Sequence, residues 1–304
     1  MNKASGATRA VIEAALDAIA EQQPCALAIV VETIGSTYVR RAAAALFRAD
    51  SRQIGWLSGG CLEPEIARRA QSAATNACVE WMEIDTRDDE DLFAGSAVGC
   101  RGRLRLVLLP VVALDGWQPL ASAWLAGSGM LEFTLDANGQ IDCEIAGQSR
   151  SWQLPSNFAG WEGEDDASRR WQVELPAPPG VLVFGAGPET PLLIPLLRSL
   201  GWMTSIVESR PRWQANAALA DHRIEARPES AIAEIGFRAI RAALIMQHNF
   251  EMDLEALQAL ASTNLPFIGL LGPKRRRDDL FKILPADVRD SLQPRLHSPI
   301  GLDL

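Results

Sequence analysis

The sequence predicts an α/β protein in two parts: an N-terminal α+β domain and, after it, a doubly wound parallel sheet. Three observations predict it. From Val181 onward, short apolar runs alternate with helical stretches, the rhythm of βαβ units. A Gly-x-Gly pair, Gly185 and Gly187, closes the first of those runs directly before a helix. Ahead of Val181 the apolar runs are separated by tight turns and two helix-like stretches, with a tryptophan-rich middle.

The first segment opens with a helix over about 7–22, because Val11, Ile12, Ala15, Leu16 and Ile19 recur at helical spacing. The unbroken apolar run Ala26 to Val31 reads as a buried strand. After Gly35-Ser36-Thr37 come a strand over 45–48, a turn over 49–52 and a third strand reaching Leu57. Ser58-Gly59-Gly60-Cys61 leads into a helix over about 62–74, where Pro64 is tolerated only in the first turn. A strand over 79–84 precedes the acidic stretch 85–91, which lacks metal-ligand spacing and reads as a solvated loop. Gly99-Cys100 and a strand over 104–109 end the segment.

The middle region holds Trp117, Trp124, Trp152, Trp161 and Trp171, and alternation over 131–145 around Asn138-Gly139 predicts a hairpin. It reads as antiparallel strands completing the first domain, then a linker ending in Pro176, Pro178 and Pro179. In the last segment strands fit 181–184, 204–207, 242–246 and 266–271, and helices fit 190–200, 213–219 and 253–262. The expected divisions are 1–115 for the N-terminal domain, 116–178 for the strand-rich extension and linker, and 179–304 for a Rossmann-like domain.

Bulk properties narrow the function classes. A chain of 304 residues can bury two cores, and 48% hydrophobic with 22% charged residues fits a soluble globular protein. A net charge of −9 argues against nucleic acid as a partner, although a local basic cluster can still hold a small anion. No apolar run approaches the ~20 residues that span a bilayer. The polar start, Met1 to Ala10, lacks the apolar core of a signal peptide, so the expected location is the cytoplasm. The five cysteines (Cys25, Cys61, Cys78, Cys100 and Cys143) are odd in number and contain no CxxC pair, so neither a disulfide framework nor a structural zinc site is indicated. Three histidines are too few for a His-rich metal site.

Five motifs carry candidate chemistry. Gly185 and Gly187, with Glu208 ending the next strand, form the context in which a glycine turn supports dinucleotide binding. Against that, Pro188 has no N–H for a pyrophosphate, Glu189 puts a negative charge where a phosphate would sit, and Thr190 replaces the third glycine. In Ser58-Gly59-Gly60-Cys61 the glycines free the backbone to turn, and Cys61 lies beside a helix start. The partial positive charge there favours thiolate, the form that attacks sulfur or binds a soft metal, and free amides there can hold an anion. The alternative for Cys61 is a small buried residue in a tight turn. Cys100, between Gly99 and Arg101, is open to the same two readings, whereas Cys25, Cys78 and Cys143 read as packing residues. Lys274 and Arg275 open a basic run after the last clear strand, where they can clamp a phosphate or simply form a solvated face. His248, at the preceding strand end, is placed for hydrogen bonding or acid–base work, or is structural.

Taken in order, these segments resemble the XdhC/CoxI family, accessory proteins of xanthine and carbon monoxide dehydrogenases. The resemblance rests on Val31-Glu-Thr-Ile-Gly-Ser-Thr, Ser58-Gly-Gly-Cys-Leu-Glu, Asp85-Thr-Arg with Gly99-Cys100, Gly185-Ala-Gly-Pro, His248-Asn249, Ile268-Gly-Leu-Leu-Gly-Pro-Lys-Arg-Arg-Arg and Ser298-Pro-Ile-Gly-Leu-Asp. The chain departs from the family pattern at Tyr38 to Ala45, at Arg101 and at Pro188. The resemblance implies an N-terminal XdhC/CoxI-type domain joined to a Rossmann domain, in a homodimer. It also implies binding of the molybdenum cofactor (molybdopterin, a pterin phosphate carrying molybdenum). Such a protein protects the cofactor while a cysteine desulfurase supplies the sulfido ligand, and then inserts it into a xanthine dehydrogenase-type molybdoenzyme. Carried over, the two thiols near the metal are Cys61 and Cys100.

The leading expectation is therefore a maturation chaperone rather than an enzyme. Cys61 and Cys100 serve the molybdenum, Gly59 and Gly60 shape the loop, and Lys274 with Arg275 hold the pterin phosphate. Gly185, Gly187, Glu208 and His248 line the ligand edge of the second domain. One alternative is an NAD(P)-dependent oxidoreductase using that edge, and another is a scaffold that needs no thiol.

Overall fold

The structure, a computed structural model, describes residues 8–86, 102–161, 170–235 and 239–300. The chain divides into two compact units, Met1–Ala177 and Pro178–Leu304.

In the first unit, α1 (Thr8–Ala20) leads into a long strand, β1 (Cys25–Gly35), followed by β2 (Ala44–Arg48) and the short β3 (Gln53–Ile54). Helix α2 (Glu63–Asn76) precedes β4 (Glu80–Asp85), and β5 (Gly102–Pro110) completes an antiparallel sheet of order β3-β2-β1-β5-β4. Pro64 lies in the first turn of α2, the one place a helix accepts it.

The apolar run in β1 is unbroken because this middle strand is covered on both faces. Ala26, Ala28 and Val30 pack with Ile66, Ala70 and Ala73 of α2, whereas Leu27, Ile29 and Val31 pack with Val11, Ile12 and Ala15 of α1. Successive strand side chains point to opposite faces, so a strand covered twice shows no polar alternation. The pairing of β1 with β5 shifts by one residue between Val30 and Glu32, a β-bulge that brings Gly35 opposite Gly102.

The region after Val111, expected to be strands, begins instead with helix α3 (Trp117–Leu125). Trp117, Leu120, Ala121 and Trp124, three and four residues apart, form its buried face. Strands β6 (Leu131–Asp136), β7 (Gln140–Ile145), β8 (Gln148–Gln153) and β9 (Arg170–Leu175) follow, in an antiparallel sheet of order β8-β7-β6-β9. The β6–β7 turn does use Asn138-Gly139. Gly139 has φ +88°, and a Cβ there would lie 2.1 Å from the Leu154 carbonyl oxygen. One hydrophobic cluster joins α1, the first sheet, α3 and this second sheet. Within it the Trp124 indole N–H donates to the Leu175 carbonyl at 2.9 Å. Arg105, 1% exposed, donates to Glu83 at 2.6 Å and Glu32 at 3.2 Å, with its guanidinium 4.9 Å from the Trp161 ring centroid. A buried cation is tolerated because it is paired on one side and stacked on the other.

The second unit runs β10 (Gly180–Phe184), α4 (Thr190–Ser199), β11 (Met203–Val207), α5 (Gln214–Ala217), β12 (His222–Ile224) and α6 (Pro228–Ile235). It continues with β13 (Ile240–Ile245), α7 (Phe250–Ala261), β14 (Phe267–Leu270), α8 (Lys274–Ile283), α9 (Ala286–Leu292) and β15 (Leu296–His297). Every pair in the sheet is parallel, in the order β12-β11-β10-β13-β14-β15. Starting from the central β10 and winding outward both ways is the Rossmann arrangement. Val181, Val183 and Ile206 pack with Ile194 of α4 and Ala217 of α5. Leu182, Phe184 and Ile245 pack on the other side with Leu257 and Leu260 of α7.

Trp124→Phe keeps most of the ring and removes the donor to Leu175. Urea denaturation is expected to show a loss of about 1–3 kcal/mol, the cost of unpairing a buried polar group, while an unchanged midpoint would show that the bond contributes nothing.

Candidate functional site

The glycine turn of the first unit is built around one carboxylate. Glu63, at the start of α2 and buried, accepts from the Leu57 amide at 3.2 Å, the Ser58 amide at 2.7 Å and the Ser58 hydroxyl. The Ser58 oxygen in turn accepts from the amides of Gly60 and Leu62, each at 3.2 Å. Burial pushes the Glu63 carboxyl up, but the hydrogen bonds from Ser58 and Leu57 outweigh it, and the group sits below the ordinary glutamate range. Gly60 has φ +107°, a left-handed conformation that glycine alone adopts cheaply.

Cys61 follows this turn and is exposed, with its sulfur 4.0 Å from the Ser58 hydroxyl oxygen. It is therefore a reachable thiol on a fixed loop and not a packing residue. Cys25 and Cys143 are the opposite case, since burial pushes both thiols up to about 12 and leaves them as neutral core groups. Cys100 lies outside the described residues, as does most of the acidic stretch 85–91.

Beside the turn is a small open hollow of about 40 Å³. Ser58, Gly59 and Leu57 form one wall, the loop Ser36-Thr37-Tyr38 after β1 another, and Ile84, Thr86, Gly102 and Leu104 the rest. The loop reaches this position because Gly102 has no side chain: a Cβ there would stand 2.4 Å from the Ser36 carbonyl oxygen. Sequence reasoning assigned no role to Glu63, Tyr38 or Gly102. The only available signal was the acidic residue that directly follows Ser-Gly-Gly-Cys-Leu.

In the second unit the structure brings Gly185, Gly187, Glu208 and His248 together at the switch point between β10 and β13. Gly185 has φ +100° and passes so close to β13 that a Cβ would lie 2.7 Å from the Met246 carbonyl oxygen. Glu208 is 0% exposed, and its carboxylate accepts from the Ala186 amide at 3.0 Å, the Arg210 amide at 2.9 Å and the Arg210 guanidinium at 2.7 and 2.8 Å. Burial raises this carboxyl, and the Arg210 contacts bring it below the ordinary range. Both oxygens are thus occupied where a dinucleotide enzyme would present an acid to the ribose. Glu189 folds over Gly187, its Oε2 2.9 Å from where a Cβ would start, and His248 Nε2 stands 3.1 Å from Glu189 Oε1. His248 holds φ +52°, a strained backbone for a residue with a side chain. The pyrophosphate position therefore carries the chain's own carboxylate.

The basic run after β14 forms the first turn of helix α8. Lys274 and Arg275 open α8 and are exposed, Arg275 at 91% side-chain exposure near Asp279. Arg276 is spoken for, donating to the buried Asp253 at 2.6 and 2.9 Å. Among the described residues neither Lys274 nor Arg275 bonds to the Gly185 turn, and no group of three or more His, Cys, Asp or Glu side chains is placed to hold a metal ion. No helix among them is long and apolar enough to cross a membrane.

The Glu63 geometry sets a pH dependence. Its folded carboxyl titrates below the unfolded value of about 4.3, so its stabilisation is present above that value and is lost as the pH falls through the depressed folded value. Glu63→Gln is expected to cost about 1–3 kcal/mol at pH 7 and to flatten the acid limb of stability against pH. Wild-type acid sensitivity in the variant would show that other groups set it.

Comparisons with known proteins follow the same division of the chain. Residues 18–80, which contain Cys61 and Glu63, match the model of the XdhC and CoxI family, and residues 181–304 match that of the XdhC Rossmann domain. Between them the two models match more than half of the chain. A Bacillus subtilis (strain 168) protein described as a probable subunit of xanthine dehydrogenase is 26% identical over 306 residues, covering 95% of this chain and 90% of that protein. A crystal structure of a xanthine dehydrogenase from Bacillus halodurans is similar with a TM-score of 0.73 at 26% identity, over 96% of this chain and 89% of that one. With an XdhC/CoxI segment carrying the exposed thiol and an XdhC Rossmann domain after it, the chain belongs to the XdhC/CoxI family.

Proposed function

We propose that this protein carries the molybdenum cofactor as cargo for a xanthine dehydrogenase-type molybdoenzyme. It shields the cofactor, presents it to a cysteine desulfurase for sulfuration, and delivers it to the enzyme. The observation that carries this reading is Cys61: an exposed thiol on a loop held rigid by Glu63, inside the segment that matches the XdhC and CoxI family. Thiolate sulfur is a soft donor suited to a soft metal centre and reactive toward sulfur transfer. The xanthine dehydrogenase names borne by the relatives support the choice of client. Lys274 and Arg275, exposed at the start of α8, are suited to the cofactor's phosphate. A second copy in a homodimer belongs to the same reading.

The arrangement in the second unit weighs against nicotinamide chemistry. A dinucleotide would have to displace Glu189 from Gly187 and compete with Arg210 for Glu208.

The test is retention. Protein mixed anaerobically with released cofactor and desalted is expected to keep near-stoichiometric pterin, quantified by fluorescence after oxidation. Cys61→Ala or Cys100→Ala is expected to reduce it. Loss of retention in the wild type would overturn the proposal, and full maturation activity without both thiols would favour a scaffold. NADH at about 1 mM, the upper end of ordinary Km values, is expected not to bind, and saturable binding would revive the oxidoreductase reading.

A further inference from the structure

Helix α4 has two apolar sides. The buried Ile194 and the half-buried Leu193 and Leu197 pack inward on Val181, Val183 and Ile206 of the sheet. Its exposed residues are Pro191, Leu192, Pro195 and Leu196, followed by Leu200 just past its end, and none of them is charged. Leu192 is 81% exposed, Leu196 58% and Leu200 63%. The helix's one charged side chain, Arg198, is drawn to Asp221. Helix α8 of the same unit shows the ordinary arrangement: it buries Leu280 and leaves Lys274, Arg275 and Lys282 in water. An amphipathic helix keeps its polar residues outside, and a helix that is apolar all round is one covered on its outer side as well.

The spacing and the size of the face both fit a second copy of the chain. Leu192, Leu196 and Leu200 stand four apart, so they form a single ridge across the helix. Ridges of this kind pack into each other in the commonest class of helix crossing, at about −50°. One such ridge is complementary to a copy of itself, which is what a two-fold interface requires. A face without charge offers no charge pattern to select a dissimilar protein. Three leucines this exposed, with the two prolines, present on the order of 400 Å² of apolar surface, the scale of patches that mark interaction sites. A stable interface takes about 800 Å² from each partner, of which about 60% is apolar. The ridge supplies most of that apolar share from each side.

We infer that the ridge Leu192, Leu196 and Leu200 is where two copies of this chain meet, α4 against α4 across a two-fold axis at Leu196. Leu196 then packs on its own copy, and Leu192 packs beside Leu200 of the other chain. The inference rests on the homodimer of the reading proposed above and gives it an interface.

Sedimentation velocity of the full chain tests it. The wild type is expected to sediment as a dimer. Leu196→Glu should raise the dimer dissociation constant by about a hundredfold or more, the scale of losing a central anchor. Ile283→Glu, at an equally exposed residue of α8, should leave the dimer unchanged. Both positions are exposed, so the circular dichroism of each variant should match the wild type. A second measurement needs no charged variant. Leu196→Cys, in a background of Cys61→Ser and Cys100→Ser, should form a disulfide-linked dimer on mild oxidation that the background alone does not form. A dimer that persists in Leu196→Glu, equal dissociation in Ile283→Glu, or no cross-link through Leu196→Cys would each overturn the inference and leave the homodimer in place. A monomeric wild type would overturn both and leave the face to a different protein. Cofactor retention is measured separately, so the cargo reading stands or falls without these results.

Discussion

Each unit is organised around one strand that must be covered on both faces. In the first unit β1 lies between α2 on one side and α1 with the second sheet on the other. In the second unit β10 lies between α4 with α5 and the α7 side. A strand in that position has no solvated face, so any chemistry on it is confined to its ends. The loop Ser36-Thr37-Tyr38 leaves the end of β1 and meets the Ser58-Gly59-Gly60 turn. The Gly185 turn leaves the end of β10 and meets the end of β13.

Both glycine turns are stabilised by an internal glutamate, with opposite consequences. Such turns leave backbone amides pointing inward, and an unpaired buried amide is costly. Glu63 satisfies those of Leu57 and Ser58 from inside the fold and leaves the next thiol facing outward. Glu208 does the same for Ala186, and Arg210 neutralises the buried charge. The difference lies in what covers the outer side. Glu189 and His248 lie over Gly187, whereas a Cβ on Gly60 would meet nothing within 4 Å. One turn is sealed by its own chain and the other is left open.

The legible parts of the sequence were those governed by local pattern. The apolar runs of β1, β10, β11, β13 and β14, the Asn138-Gly139 hairpin and the position of Pro64 follow from periodicity and turn chemistry. Helix α3 was hidden because its two tryptophans and Leu120 resemble strand residues when read singly, and only their spacing of three and four marks a helix. The site was less legible, because its contacts join residues far apart in the chain. Arg276 serves Asp253 across 23 residues, and Gly102 makes room for Ser36, so a basic run and a lone glycine each conceal a partner that sequence cannot display. The pairing of Glu208 with Arg210 spans only two residues, yet its meaning depends on burial.

The bulge in β1 has a consequence for how chains of this kind are compared. Before it, odd-numbered residues face α1; after it, even-numbered Glu32 points to that same side and reaches Arg105, while Thr33 pairs across from Leu104 of the hollow. One inserted residue has reversed the parity of the strand, so a polar group now occupies the phase in which a hydrophobe would otherwise sit. A length difference of a single residue here is not silent drift of the kind that loops absorb. It exchanges the two covered faces for the last residues of β1, Glu32 to Gly35, before the chain enters the loop beside the hollow.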